Sequence, residues 1–259
     1  MPTTRIEEDA VVTAVVTAMT DGEEPFLLAT MKAVMASPHI SQIVLCVEES
    51  NSWVEAILQR IERQSELIVA RLPLMPPGAI RNRALHYVRE EWVAFCDGDD
   101  VWCSDKICTQ LETARLTGCD FVGADHCLID QQNGVRAFAL SRHIPMTSSW
   151  MVRTEVMRSY PFDETMYQGE DGNWWIRTNH VIRKVRCPEI LLRYRVRSGS
   201  ISSSTPSKKR KALVSALAGF PLVGMTVFGA TYLVWLFNRK DHYVWLADWG
   251  ESVRGAQPS

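Results

Sequence analysis

The sequence predicts an α/β protein: a mixed, mainly parallel sheet with flanking helices, plus a C-terminal hydrophobic helix. Two observations carry this. Four short β-rich runs alternate with amphipathic stretches in the first 120 residues, the pattern of a parallel sheet covered on both faces. Far downstream, Ala212 to Phe237 reads ALVSALAGFPLVGMTVFGATYLVWLF, 26 residues without a charge.

The elements follow in order. Residues 11–18, VVTAVVTA, form a β-branched run suited to a buried strand. Next comes DGEEPFLLATMKAVM, where Pro25 suits a helix's first turn and Phe26, Leu27, Met31, Val34 and Met35 keep helical spacing. QIVLCV (42–47) is a second strand. Ser52 offers an N-cap to a helix whose apolar face is Val54, Ile57, Leu58 and Ile61. ELIVARL (66–72) is a third strand, GAIRNRALHYVRE (78–90) a helix, and EWVAFC (91–96) a fourth strand. Ser104 caps a helix reaching Leu116.

Beyond residue 120 the alternation loosens. FVGAD is a strand, and Asn133-Gly134 marks a hairpin between HCLID and VRAFAL. SSWMVR (148–153) is a strand leading into a short helix at Thr154–Ser159; EDGNWWIRTNH opens a helix, and EILLRYRVR alternates as a strand. Residues 198–211 are polar, with no apolar stripe.

The net charge of -2 supplies no global basic field, so no nucleic-acid partner is expected. Seven cysteines form no CxxC pair, which argues against a disulfide framework or zinc site and for a reducing cytosol. Met1 to Asp9 has no secretory pattern. The uncharged run at 212–237 matches the roughly 20 apolar residues that span a bilayer. Lys208 to Lys211, KKRK, precede it, so the main body is expected on the cytoplasmic face of the inner membrane, held by a single span. The alternative is a cytoplasmic protein whose run is a buried helical hairpin broken at Pro221, or a dimer interface.

The chemistry concentrates in two acidic stretches. VAFCDGDDVW (93–102) places Asp97, Asp99 and Asp100 at the carboxyl end of the fourth strand, where open α/β sheets bind ligands. Hard divalent cations take carboxylate oxygens, so the turn reads either as a metal and sugar-hydroxyl site or as an Asp-rich cap of the next helix. About 70 residues later, YQGEDGNWWIR (167–177) sets Glu170 and Asp171 at a helix start. A carboxylate there can take a proton from an attacking hydroxyl; the other reading is an acidic helix terminus favoured by the macrodipole.

Taken in order, six segments resemble a family 2 glycosyltransferase of GT-A (Rossmann-like) fold, from about Val11 to Ser203. They are VVTAVVTA, GAIRNRAL, VAFCDGDDVW, SSWMVRTEVMRSYPFDE, GEDGNWWIR and YRVRSGSIS. The resemblance implies a nucleotide-sugar donor, a saccharide or lipid-linked acceptor, and Mn²⁺ or Mg²⁺ as cofactor. It implies that Asp97 contacts the ribose or base, that Asp99 holds the metal with Asp100 in support, and that Arg81 lies near the nucleotide. Asp171 would be the catalytic base with Glu170 beside it, while Trp174 and Arg177 would shape the acceptor side or hold the Glu-Asp loop. One base and no protein nucleophile imply inversion.

Two positions depart from the family pattern. Glu48 and Glu49 stand where an Asp pair binds the nucleobase, and Arg197 replaces the His of Y-R-x-H. Arginine cannot ligate a metal but can clamp a phosphate. The implied organisation is a catalytic domain at 1–203, a basic linker at 204–211, the membrane-associated run at 212–237 and a polar tail at 238–259. An inert GT-A-like scaffold is the alternative; a nucleotidyltransferase fits less well, because TAMTDGEE has one glycine where a phosphate loop needs several.

Overall fold

Strand β1 (Val12–Ala18) has no exposed residue, and the rest of the sheet is laid around it. The computed structural model describes residues 11–61, 65–139, 144–197 and 221–238. Parallel to β1 on either side run β2 (Ile40–Glu48) and β4 (Trp92–Asp97), and β3 (Glu66–Leu72) continues beyond β2. The other half is mixed, with β5 (Val101–Trp102), β6 (Phe121–Ile129), β7 (Val135–Ala139), β8 (Met151–Arg153) and β9 (Lys184–Arg195). The order is β3-β2-β1-β4-β8-β6-β9-β5, with β7 paired to β6.

Alternate residues of each central strand feed two cores, which is why these strands read as unbroken apolar runs. Val12, Ala14, Val16 and Ala18 face one core, packed by α1 (Glu24–Met35), α2 (Trp53–Leu58) and α4 (Lys106–Thr117). Val15, Val44, Val93 and Phe95 face the other, packed by α3 (Pro77–Ala84), α5 (Thr154–Ser159) and α6 (Glu170–Arg177). Trp150, Trp174, Trp175 and Phe121 fill this second core as tilted and edge-on rings 5.0–5.9 Å apart, the arrangement that ring quadrupoles favour.

The expected parallel half stands, with shorter helices. α3 stops at Ala84, short of residue 90, because the backbone tightens after Leu85 and Arg158 Nη2 donates to Val88 O at 2.7 Å. β9 begins at Lys184, ahead of the expected Glu189. Its first residues escape the alternation rule because Lys184 and Arg186 are buried and Pro188 interrupts the ladder, where the register with β6 shifts. Arg186 forms a bidentate pair with Asp125 on β6, through Nε to Oδ1 at 2.9 Å and Nη2 to Oδ2, both side chains sealed from solvent.

Helix α7 (Pro221–Asn238) is the part of the uncharged run that the structure describes. Among the described residues no helix is long and apolar enough to cross a membrane. The aromatic side packs on the protein: Phe138 of β7 meets the rings of Phe228, Tyr232 and Trp235 at 5.4–5.8 Å, and its N–H donates to Thr231 Oγ1 at 3.1 Å. The expected linker at 204–211, residues 212–220 of the uncharged run and the tail from 239 lie outside the described residues.

Lys106 opens α4 beneath the Asp turn, fully buried, with Nζ donating to Gln110 Oε1 at 2.8 Å and lying 4.1 Å from the Trp102 ring centre. Burial pulls its ammonium down to about 7, against a smaller upward pull from nearby cysteine thiols.

Two outcomes are expected. Arg186→Met takes the guanidinium from the buried Asp125 carboxylate and lowers stability by about 3–5 kcal/mol in urea unfolding; Asp125→Leu added to it restores most of the loss. A single-variant loss below about 1 kcal/mol contradicts the buried pair. For Lys106, the folded chain binds fewer protons than the unfolded chain between pH 7 and 10.5, so this group makes stability rise with pH. The stability of wild type relative to Lys106→Met therefore increases from pH 7 to about pH 9; a flat difference contradicts the neutral, buried amine.

Candidate active site

The site is built from strand ends and the two turns that follow them. β4 ends at Asp97, and Gly98 turns the chain directly against β1: a Cβ on Gly98 would lie 2.9 Å from Thr17 O and from Ala18 Cβ. Thr17 stands opposite Asp97 in the β1–β4 register, and its hydroxyl donates to Asp97 Oδ1 at 3.0 Å. The turn is pinned from beyond as well, because β5 pairs with β9 and Arg195 N donates to Asp100 Oδ1 at 2.8 Å. The two-residue β5 was not expected, since it is too short to carry a pattern.

The second acidic stretch arrives from the opposite side. Gly169, at φ +79°, takes the left-handed turn that starts α6, a conformation strained for any residue with a Cβ. Glu170 then points inward and is buried, while Asp171 is half-buried and accepts from Gly172 N at 2.7 Å. Arg81 of α3 joins the two stretches: Nη2 donates to Asp97 Oδ1 at 2.9 Å and Nη1 to Glu170 Oε1 at 2.8 Å. Arg81 as a whole is 5% exposed. Burial pulls the Arg81 pKa down, but Asp97 and Glu170 outweigh it and hold the group above its usual value.

These residues surround one cavity of about 410 Å³. Asp97, Asp99, Arg81, Glu170, Asp171 and Arg197 all line it, so sequence positions far apart meet as expected. Tyr194, Tyr167, Met75 and Leu74 add apolar and aromatic walls.

Other expected site residues stand elsewhere. Asp100 is fully buried and anchors β9, away from the cavity lining; burial, then Asp99 and Asp97, push its carboxyl well above the usual range. Glu48 and Glu49 do not line the cavity. The Glu48 carboxylate accepts from Ser50 N at 3.0 Å, and Glu49 is tied to Leu72 O through its own N–H. Trp174 is sealed in the aromatic core, its Nε1 donating to Tyr160 O at 2.6 Å. Arg177 Nη2 donates to Pro161 O at 2.6 Å. Both brace the loop before α6 and neither lines the cavity.

The structure adds Glu23, which the sequence did not single out. It follows a short turn after β1, where the Thr20 N–H and hydroxyl both donate to Glu23 Oε2 at 2.7 Å. The T-x-x-E spacing of a capping box was the signal available. Its Oε1 accepts from Arg197 Nη2 at 2.5 Å, and Arg197 Nε donates to Asp99 Oδ2 at 2.6 Å. Burial raises the carboxyl of Asp99; the Arg197 hydrogen bond opposes it, and the Asp97 charge adds to it.

This donor set does not fit a divalent cation. Among the described residues no three Asp, Glu, His or Cys side chains converge as ligands. The one cavity-facing carboxylate expected to bind metal already holds a guanidinium, whose fixed charge would repel a cation placed beside it.

Comparison with known proteins agrees with this architecture. The family model described as Glycosyltransferase like family 2 matches residues 9–164. WfgD of Escherichia coli, a UDP-Glc:alpha-D-GlcNAc-diphosphoundecaprenol beta-1,3-glucosyltransferase, is 22% identical over 193 residues, 70% of this chain and 76% of that protein. TuaG of Bacillus subtilis, a putative teichuronic acid biosynthesis glycosyltransferase, is 32% identical over 105 residues, 39% of this chain and 42% of that one. Among solved structures, S. aureus TarS in complex with UDP-GlcNAc superposes with a TM-score of 0.64 at 16% identity, covering 75% of this chain and 61% of that one. The mannosyltransferase PcManGT from Pyrobaculum calidifontis, in complex with GDP-Man and Mn²⁺, gives 0.60 at 12% identity, covering 74% and 59%. This chain thus spans about three fifths of each of these two structures. The family match extends over more than half of the sequence, and the chain belongs to the family-2-like glycosyltransferases, with the GT-A fold.

Proposed function

We propose that the cavity binds a nucleotide-sugar donor and transfers its sugar, with inversion, to an acceptor hydroxyl in the assembly of a cell-surface polysaccharide or glycolipid. The observation that carries this reading is the Asp97–Arg81–Glu170 bridge, which brings the Asp turn and the Glu-Asp helix start together on the lining of one cavity.

In this reading Asp97 accepts from a ribose hydroxyl, and Arg81 fixes Asp97 and Glu170 in place. Asp171 is the more open of the two adjacent carboxylates and takes the proton of the acceptor hydroxyl. Glu170 is committed to Arg81 and positions the loop. The acceptor oxygen attacks the anomeric carbon from the face opposite the diphosphate. The bond from that carbon to the diphosphate oxygen breaks, and its electron pair leaves with the nucleoside diphosphate. Charge at the anomeric carbon develops as in glycoside chemistry generally. With no protein nucleophile on the second face, one displacement inverts the configuration.

The acceptor class rests on the relatives. WfgD is named for a diphosphoundecaprenol-linked acceptor and TuaG for teichuronic acid synthesis, which supports a surface polymer or its lipid-linked precursor as acceptor.

The test is nucleoside diphosphate release from UDP-, GDP- and dTDP-sugars with a candidate lipid-linked acceptor. Wild type is expected to turn over one donor and to give a product of inverted anomeric configuration. Asp171→Asn is expected to lose about 10²–10⁴-fold in rate while keeping donor affinity. Retention of configuration, or an Asp171→Asn variant at full rate, contradicts the assignment.

A further inference from the structure

Three arginines line the cavity, and their hydrogen bonds give them different tasks. Arg195 is spent on the chain itself: Nε donates to Asp99 O, Nη1 to Asp130 O and Nη2 to Asn133 Oδ1, each at 2.7 Å, over the Phe26 ring. Arg81 is the buried bridge between Asp97 and Glu170. Arg197 is the third. It lies just past the end of β9, and its partners are Asp99 and Glu23, two carboxylates on separate turns. Gly22 leaves room for it, since a Cβ there would sit 2.4 Å from Arg197 Nη1.

The single positive charge of Arg197 stands against Asp99, the carboxylate expected to hold a divalent cation. The guanidinium touches the Asp99 carboxylate, faces the cavity and cannot be lost by titration or dilution. Its planar fork also matches two phosphate oxygens, a geometry an ammonium lacks. Burial lowers the Arg197 pKa and its carboxylate partners more than offset this, so the group stays charged.

Resting on the donor-site reading above, we propose that Arg197 takes the place of a catalytic metal ion. Its guanidinium, held by Asp99 and Glu23, meets the diphosphate of the donor and stabilises the negative charge that forms as the anomeric bond breaks. The electron pair of that bond goes to the diphosphate oxygen facing Arg197, and the acceptor proton goes to Asp171. Asp99 becomes a positioning residue for Arg197. Donor binding and transfer then proceed without a divalent cation.

Calorimetric titration of the full chain with UDP, GDP and dTDP, in EDTA and in Mn²⁺, separates the possibilities. Wild type is expected to bind one nucleoside diphosphate with a Kd that agrees within about twofold between the two buffers, since no counter-ion exchange accompanies binding. Arg197→Lys keeps the charge but loses the fork; it is expected to bind about tenfold more weakly in both buffers. Arg197→His places an imidazole beside Asp99. It is expected to bind weakly in EDTA and to regain about tenfold in Mn²⁺, because neutral imidazole ligates metal. Thermal melting confirms that each variant is folded, and the wild-type comparison and Arg197→Lys stand if Arg197→His is not. Wild-type affinity that falls tenfold or more in EDTA overturns the proposal and leaves the donor-site reading intact. No nucleoside diphosphate binding in either buffer overturns both.

Discussion

One buried guanidinium holds the site in register. Arg81 reaches from α3 to the end of β4 and to the start of α6, and both of its carboxylate partners line the cavity. A charge removed from water this far is tolerated only when paired and hydrogen-bonded. The surrounding structure is arranged to keep the pair closed. Asn82, next in sequence, exchanges two hydrogen bonds with the Phe162 backbone at 2.9 and 3.0 Å. Gly78 lets α3 approach the same segment, where a Cβ would lie 2.8 Å from Phe162 Cβ. The loop carrying Glu170 is in turn braced by Trp174 and Arg177. The segment GAIRNRAL thus serves the site mostly by docking one helix so closely that Arg81 can span two turns.

The same logic separates residues that face a ligand from those that position them. Asp97, Asp99 and Asp100 are nearly adjacent in sequence, yet the turn sends them in three directions. Asp97 goes to Thr17 and Arg81, Asp99 to Arg197, and Asp100 inward to the Arg195 backbone. The mutual repulsion of three carboxylates is relieved by giving each its own donors. The cluster is therefore not a cage around one ion: Asp97 and Asp99 line the cavity, each beside a guanidinium, and Asp100 anchors the end of β9.

The parallel half of the fold was legible because its strands are buried on both faces and its helices carry apolar stripes. Order in the sequence also placed Asp97 and Glu170 in one site. The remainder was hidden for physical reasons. Lys184 and Arg186 look like surface charges until Trp175 O and Asp125 are seen to receive them, so the first half of β9 was lost. Glu48 and Asp100 were expected at the site, but neither lines the cavity: Asp100 is buried and the Glu48 carboxylate accepts from the Ser50 N–H. The uncharged run before Asn238 has the composition of a membrane span. Phe228, Tyr232 and Trp235 meet Phe138, a contact no hydropathy pattern reports. Glu23 was missed because its partner lies 174 residues away.

The most direct measurement of the central claim is hydrogen–deuterium exchange of the full chain with and without a saturating nucleoside diphosphate. The account predicts protection confined to the turns that meet at the cavity: residues 17–23, 74–81, 97–99, 167–171 and 194–197. Protection that leaves these segments unchanged and appears elsewhere would contradict it, as would a chain that no nucleoside diphosphate protects.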